Sequence, residues 1–281
     1  MSRSPCILLP TSCPLPLTLL LALPLYSYNV NFVGMVLPGD ELSVKLSHTA
    51  MNNGNKVVKV ETFNQRGEKV IDGSAEVKQA PTTYVFTGQG SQEVGMGMEL
   101  YSTSAAAKAV WDSADSHLLK TYGFSIIDIV KNNPKELTVY FGGLRGQAIR
   151  ARYMSMESED EKGNRVPLFP EVGPLSPAYT FTSPTGLLNA TQFTQIALVT
   201  VAKAAFVDLS SKGLVQPRSP FGGHSLGEYA ALASIADVMP ISSLIDVVFY
   251  RGLTMNRAVV RDAKGRSNFS MCAINPSRLP W

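Results

Sequence analysis

Residues 221–232 read Phe-Gly-Gly-His-Ser-Leu-Gly-Glu-Tyr-Ala-Ala-Leu, and Gly223-His224-Ser225-Leu226-Gly227 takes the form G-x-S-x-G. This pattern belongs to a sharp strand-to-helix turn that lifts a serine hydroxyl above the end of a sheet. The serine backbone in such a turn is strained, and a side chain at 223 or 227 would collide with the adjoining strand and helix. From Leu226 to Val238 no further Gly or Pro interrupts a run rich in Ala and Leu, so a helix is expected to begin at the serine. Its N-terminal amides favour negative charge developing beside Ser225. Ser225 is therefore a candidate nucleophile, with a chance match of five residues as the plainer alternative.

The remaining composition narrows the classes open to the chain. Of its 281 residues 45% are hydrophobic and 17% charged, enough for one large core or two smaller ones. A net charge of +3 without any Lys/Arg cluster gives no reason to expect nucleic acid. Cys6, Cys13 and Cys272 are odd in number and far apart, which argues against a disulfide framework or a zinc site and fits a reducing, cytoplasmic compartment. Residues 1–27 stand apart: five prolines surround the apolar run Leu15–Leu25. That run is too short and Pro-broken to span a bilayer, and the segment is read as an unassigned leader, with a signal peptide as the alternative.

Two regions of different character follow. Strands are expected at Asn29–Leu37, Leu42–Ala50, Lys56–Phe63 and Lys69–Lys78, separated by the turn signals Pro38-Gly39-Asp40, Asn52-Asn53-Gly54 and Arg66-Gly67. Four strands with no helix to cover one face form an incomplete module. From Thr82 the pattern alternates strand and helix: a strand at Thr82–Phe86, then helices at Met96–Lys120, Ile126–Lys131, Gly146–Ser155, Thr191–Lys212 and Ser242–Val260. The polar stretch Met156–Pro177 reads as a surface loop. The alternation implies an α/β fold with a mostly parallel sheet.

Other residues can be weighed against Ser225. Phe86-Thr87-Gly88-Gln89-Gly90-Ser91-Gln92 begins like a dinucleotide loop, yet its third glycine is replaced by Glu93. A tight turn presenting backbone N–H groups fits better. Acyl transfer needs two donors for an oxyanion, here Gln89 and Leu226, although an ordinary Gly-rich turn would look the same. Arg251, 26 residues after the serine in an apolar helical stretch, suits bidentate grip of a carboxylate or else lies on an exposed helix face. His117 and Asp112 lie five apart, which on a helix does not bring them together, and both read as solvated. His48 reads as structural, and His224 points away from its neighbour Ser225. No histidine follows Ser225, although the hydrolase-type order places the base there.

The combination F-T-G-Q-G-S-Q (86–92), G-H-S-L-G-E (223–228) and Y-R-G (250–252) resembles the malonyl/acyl-CoA:acyl carrier protein transacylases. It resembles most the malonyl/palmitoyl transferase domain of fungal fatty acid synthase β subunits. Y-F-G-G-L-R-G-Q-A-I-R (140–150), Y-T-F-T-S-P-T-G-L-L (179–188), T-Q-F-T-Q (191–195) and A-D-V-M-P-I (236–241) extend the likeness. Residues 28–81 resemble the end of a hot-dog dehydratase module, and 82–281 a C-terminally truncated acyltransferase domain of hydrolase-like α/β fold. The resemblance implies Ser225 as the acylated nucleophile, Gln89 and Leu226 as oxyanion-hole donors, and Arg251 as the malonyl carboxylate ligand. It implies malonyl and palmitoyl transfer between CoA and phosphopantetheinyl acyl carrier protein in fatty acid biosynthesis. No bound cofactor or metal, no membrane and no nucleic acid are expected, with the carrier protein and the synthase α subunit as partners. The family's histidine is expected downstream of Trp281, and Pro220 is unusual in the strand entering the elbow. The alternatives are an inactive synthase fragment and a serine esterase or thioesterase.

Overall fold

The computed structural model describes residues 25–160, 162–235, 237–259 and 267. Two compact units share the chain. One runs to Tyr84 and takes in Asp208–Pro220; the other comprises Val85–Val207 and the residues from Phe221 onward.

The first unit is a four-stranded antiparallel sheet in the order β1-β4-β3-β2, made of β1 (Leu25–Phe32), β2 (Leu42–Asn52), β3 (Asn55–Asn64) and β4 (Lys69–Val77). Its turns form where the sequence marked them. Asn53 and Gly54 both have positive φ, 49° and 76°, the pair of left-handed residues that a two-residue hairpin requires. On β3 every second residue is buried (Val58, Val60, Thr62, Asn64), while Lys59 and Glu61 face outward. β1 begins at Leu25, inside the segment set apart as a leader, because it pairs along β4 from Leu25↔Val77 to Phe32↔Ile71. The rest of that leader, with its signal-peptide alternative, lies outside the described residues.

Residues 208–220, expected within the α/β region, cluster with this sheet instead. Gly54 N–H donates to the Gly213 carbonyl at 2.8 Å, and the Gln216 side chain both accepts from Thr82 N–H and donates to the Ala80 carbonyl. Such contacts across more than a hundred residues leave no trace in local pattern.

The second unit alternates strands and helices: β5 (Tyr84–Phe86), α1 (Met98–Thr103), α2 (Ala105–Tyr122), α3 (Ile126–Asn132), β6 (Glu136–Tyr140), α4 (Gly143–Ser155), β7 (Glu157–Glu159), β8 (Arg165–Pro167), β9 (Ala178–Thr182), α5 (Thr191–Ser211), β10 (Phe221–Gly223), α6 (Leu226–Ile235) and α7 (Ile241–Ala258). The helix expected over Met96–Lys120 is divided at Ser104, whose extended backbone (φ −120°, ψ 117°) lets its Oγ accept from Ala107 N–H. The Met156–Pro177 stretch contains the β7–β8 hairpin. The α/β character holds, but strand pairing departs from a mostly parallel sheet. The described strands form three two-stranded pairs, β5 with β10, β6 with β9 and β7 with β8, the last two antiparallel. Only β7 and β8 are a local hairpin; β5 and β10 pair across most of the unit.

An aromatic cluster fills the core: Phe124 packs edge-to-face on Phe181 and Phe193 at 6.1 and 5.1 Å between centroids, and Tyr122 on Phe249 at 4.7 Å. α5 runs through this core with Phe193, Thr194, Gln195, Ile196, Ala197, Val199 and Thr200 fully buried. It is long and apolar enough to cross a membrane, yet 67% of its most apolar window is buried within the protein. That is the pattern of a core helix.

Candidate active site

The site is assembled by two strand-to-helix turns that leave paired strands side by side. β10 ends at Gly223, Ser225 takes φ 54°, and α6 starts at the next residue. A left-handed conformation at a non-glycine residue costs of order 1 kcal/mol or more, which surrounding packing must hold in place. The packing is visible at the glycines. A Cβ on Gly223 would lie 2.3 Å from the Gly227 carbonyl carbon, and one on Gly227 would lie 2.4 Å from the Phe86 carbonyl oxygen. The second turn follows β5, and a Cβ on Gly88 would meet the His224 carbonyl oxygen at 3.0 Å. Both turns are therefore pressed together backbone to backbone, which sets the Gln89 loop beside the elbow.

Pro220 fits this arrangement. It lies one residue before β10, and its carbonyl accepts from Tyr84 N–H at 3.1 Å, so no ladder donor is missing. Ser225 is exposed and Leu226 is buried. Among the described residues, neither the Gln89 nor the Leu226 backbone N–H has a protein acceptor. Those of Gly227 and Glu228 bond back to His224 and Ser225 carbonyls, closing the first turn of α6.

Arg251 reaches this point from α7. Its Nη2 donates to Ser225 Oγ at 2.8 Å and its Nη1 to Gln195 Oε1 at 2.9 Å, while the guanidinium lies over the Tyr229 ring at 5.4 Å from the centroid. Among the described residues no carboxylate pairs with it. A close contact between α5 and α7 explains the placement: a Cβ on Gly252 would lie 2.5 Å from Gln192 Cα, so the helices touch with no side chain between them. Gln195 continues the network, its Nε2 lying 3.4 Å from Gln89 Oε1 and 3.3 Å from Met255 Sδ.

All four sequence-derived candidates thus converge, and Arg251 is not on a free surface. The residues missed were Gln195, Tyr229 and Met255. The one available signal was the pair Gln192 and Gln195 ahead of the apolar part of α5. His117 requires a correction. It is not solvated: its Nε2 lies 2.7 Å from Asp246 Oδ1, which also accepts from the Tyr122 hydroxyl at 2.8 Å. This joins α2 to α7 and is invisible to spacing along either helix. Burial, with Asp246 adding to it, pushes the Tyr122 hydroxyl far above its ordinary pKa of 10. Asp112 pairs instead with Lys108 and the Tyr101 hydroxyl, so it and His117 do not converge, as their spacing implied. The side chain of His224 is exposed. Among the described residues no group of three or more His, Cys, Asp or Glu could hold a metal ion.

Residues 83–279 match the family described as the acyl transferase domain. The chain belongs to that family. Over 257 residues this acyl transferase domain chain is 56% identical to the fatty acid synthase subunit beta of Schizosaccharomyces pombe, covering 90% of the chain and 12% of that protein. It is likewise 56% identical over 255 residues to the fatty acid synthase subunit beta of Saccharomyces cerevisiae, again 90% and 12%. The chain therefore spans about an eighth of the length of these relatives. A solved malonyl CoA-acyl carrier protein transacylase from Clostridium perfringens is 24% identical, with a TM-score of 0.43, covering 65% of this chain and 40% of that one.

Proposed function

We propose that this acyl transferase domain moves malonyl groups from CoA to an acyl carrier protein through an ester on Ser225, within a fatty acid synthase β subunit. The observation that carries the reading is the Arg251 guanidinium, 2.8 Å from Ser225 Oγ and without a carboxylate partner among the described residues. A cation held there at the cost of partial desolvation suits an acyl group ending in a carboxylate. A neutral ester would give it nothing to bind, which weighs against the esterase alternative.

In this reading Ser225 Oγ attacks the malonyl thioester carbon, and the carbonyl oxygen becomes an oxyanion facing the Gln89 and Leu226 N–H groups. The C–S bond breaks, CoA leaves as its thiol with the serine proton, and the phosphopantetheine thiol of the carrier protein reverses the sequence. His117, held by Asp246, is not assigned as the proton acceptor. Return of palmitoyl chains to CoA, partnership with the α subunit and a cytoplasmic setting belong to the same proposal. The fatty acid synthase relatives support the setting in fatty acid synthesis alone.

Intact-mass spectrometry after incubation with malonyl-CoA tests it. A malonyl adduct on the parent chain, absent from Ser225→Ala, is the expected result. A folded chain that takes no adduct even within the complete β subunit overturns the reading.

A further inference from the structure

Gln195 has a part in selectivity that its place in an apolar helix conceals. Its side chain is fully buried on α5, where an amide must satisfy both of its ends or lose stability. Arginine carries donors only, so the 2.9 Å contact with Arg251 Nη1 fixes the carbonyl end of the amide toward the guanidinium. The amide's N–H end is thereby turned to Gln89 Oε1 and Met255 Sδ. The resulting order runs from Gln89 through Gln195 and Arg251 to the Ser225 hydroxyl. It joins the turn of one strand, the core helix and the nucleophile.

The choice of a neutral acceptor matters physically. A carboxylate at this position would hold the guanidinium equally well but would neutralise it, leaving nothing to attract an acyl carboxylate. An apolar side chain would leave the charge intact and the fork free to turn. A carboxamide alone does both jobs: it locks the plane of the fork and leaves its charge unspent. We infer that Gln195 is the positioning residue that sets selectivity for carboxylated acyl groups, by holding Arg251 fixed and un-neutralised beside Ser225. This inference rests on the malonyl-transfer reading above.

The test compares parent, Gln195→Glu and Gln195→Met proteins, each given malonyl-CoA and acetyl-CoA in competition, with the two Ser225 adducts counted by intact mass. Gln195→Glu is expected to lower the malonyl-to-acetyl ratio by about 100-fold, and Gln195→Met by about 10-fold, since a charge-assisted contact is lost in one and only loosened in the other. Malonate binding by isothermal titration should fall in the same order, without any need for turnover. Circular dichroism melts confirm that each variant folds. An unchanged ratio in both variants overturns the inference, as does a parallel loss of both adducts, which marks a purely structural role. A folded parent that accepts neither acyl group even within the complete β subunit sinks the malonyl-transfer reading and this inference with it.

Discussion

Arg251 Nη2 lies 2.8 Å from Ser225 Oγ, joining a helix residue to a turn residue 26 positions before it. The elbow strains Ser225 out into the open, and the close approach of α5 and α7 at Gly252 brings the guanidinium to it. Nucleophile and cation are thus positioned by separate devices, and each can be tested alone.

Removing the cation should cost selectivity more than reactivity. Arg251→Ala is expected to lower malonyl acylation of Ser225 by about 100-fold relative to acetyl, the worth of a charge-assisted pair. Arg251→Lys should recover only part of this, because a point charge cannot reproduce the fork. Competition between the two acyl-CoAs, read by intact mass, checks both; equal loss of the two adducts would contradict the assignment.

Gly227 is fixed by backbone contact rather than by chemistry. A Cβ there would lie 2.4 Å from the Phe86 carbonyl oxygen and 3.2 Å from that of Thr87. Gly227→Ala should destabilise the fold by about 1–3 kcal/mol, the usual cost of overpacking. Urea denaturation measures it, and a variant as stable as the parent would show that the two turns are free to part.

His117 belongs to the framework. His117→Asn breaks the contact between α2 and α7 at Asp246 and should cost about 1 kcal/mol in stability. Malonyl acylation of Ser225 should be untouched. Loss of the adduct in a folded variant would instead make His117 part of the chemistry.

Lys203 anchors the far end of the elbow helix. It is 8% exposed and donates to the Ala233 carbonyl in the last turn of α6 and to Asp237. A cation at a helix C-terminus also suits its dipole. Lys203→Met, which keeps the length of the stem but not its donors, should cost about 1–3 kcal/mol in chemical denaturation.

The outer face of the sheet predicts a pH dependence. Hydrogen bonds from Lys69 and then Lys59 hold the Glu61 carboxyl down from 4.5 to about 2. A depressed carboxyl stabilises the fold above its unfolded pKa and ceases to do so as pH falls through its folded value. The parent should therefore exceed Glu61→Gln in urea midpoint near neutrality, and the gap should close between 4.5 and about 2. A gap independent of pH would mean the lysines contribute nothing through charge.

Local chemistry was legible along the chain. Asn53-Gly54 read as a tight hairpin, Gly223 and Gly227 as an elbow, and Ser225 before a helical run as a serine at a helix start, and each forms so. These are decisions of φ, ψ and side-chain volume within a few residues, which sequence records directly. Arg251 was legible as a choice between two roles but not as a neighbour of Ser225. The contacts of Gln195 and the His117–Asp246 pair were not legible. Their partners stand 56 and 129 residues away, and helical packing, not spacing, brings them together. Residue types and their turns were settled by the amino-acid sequence alone. The placing of Arg251 beside Ser225, and the withdrawal of His117 into the framework, were decided only when α2, α5 and α7 packed, because burial and contact exist only in the assembled core.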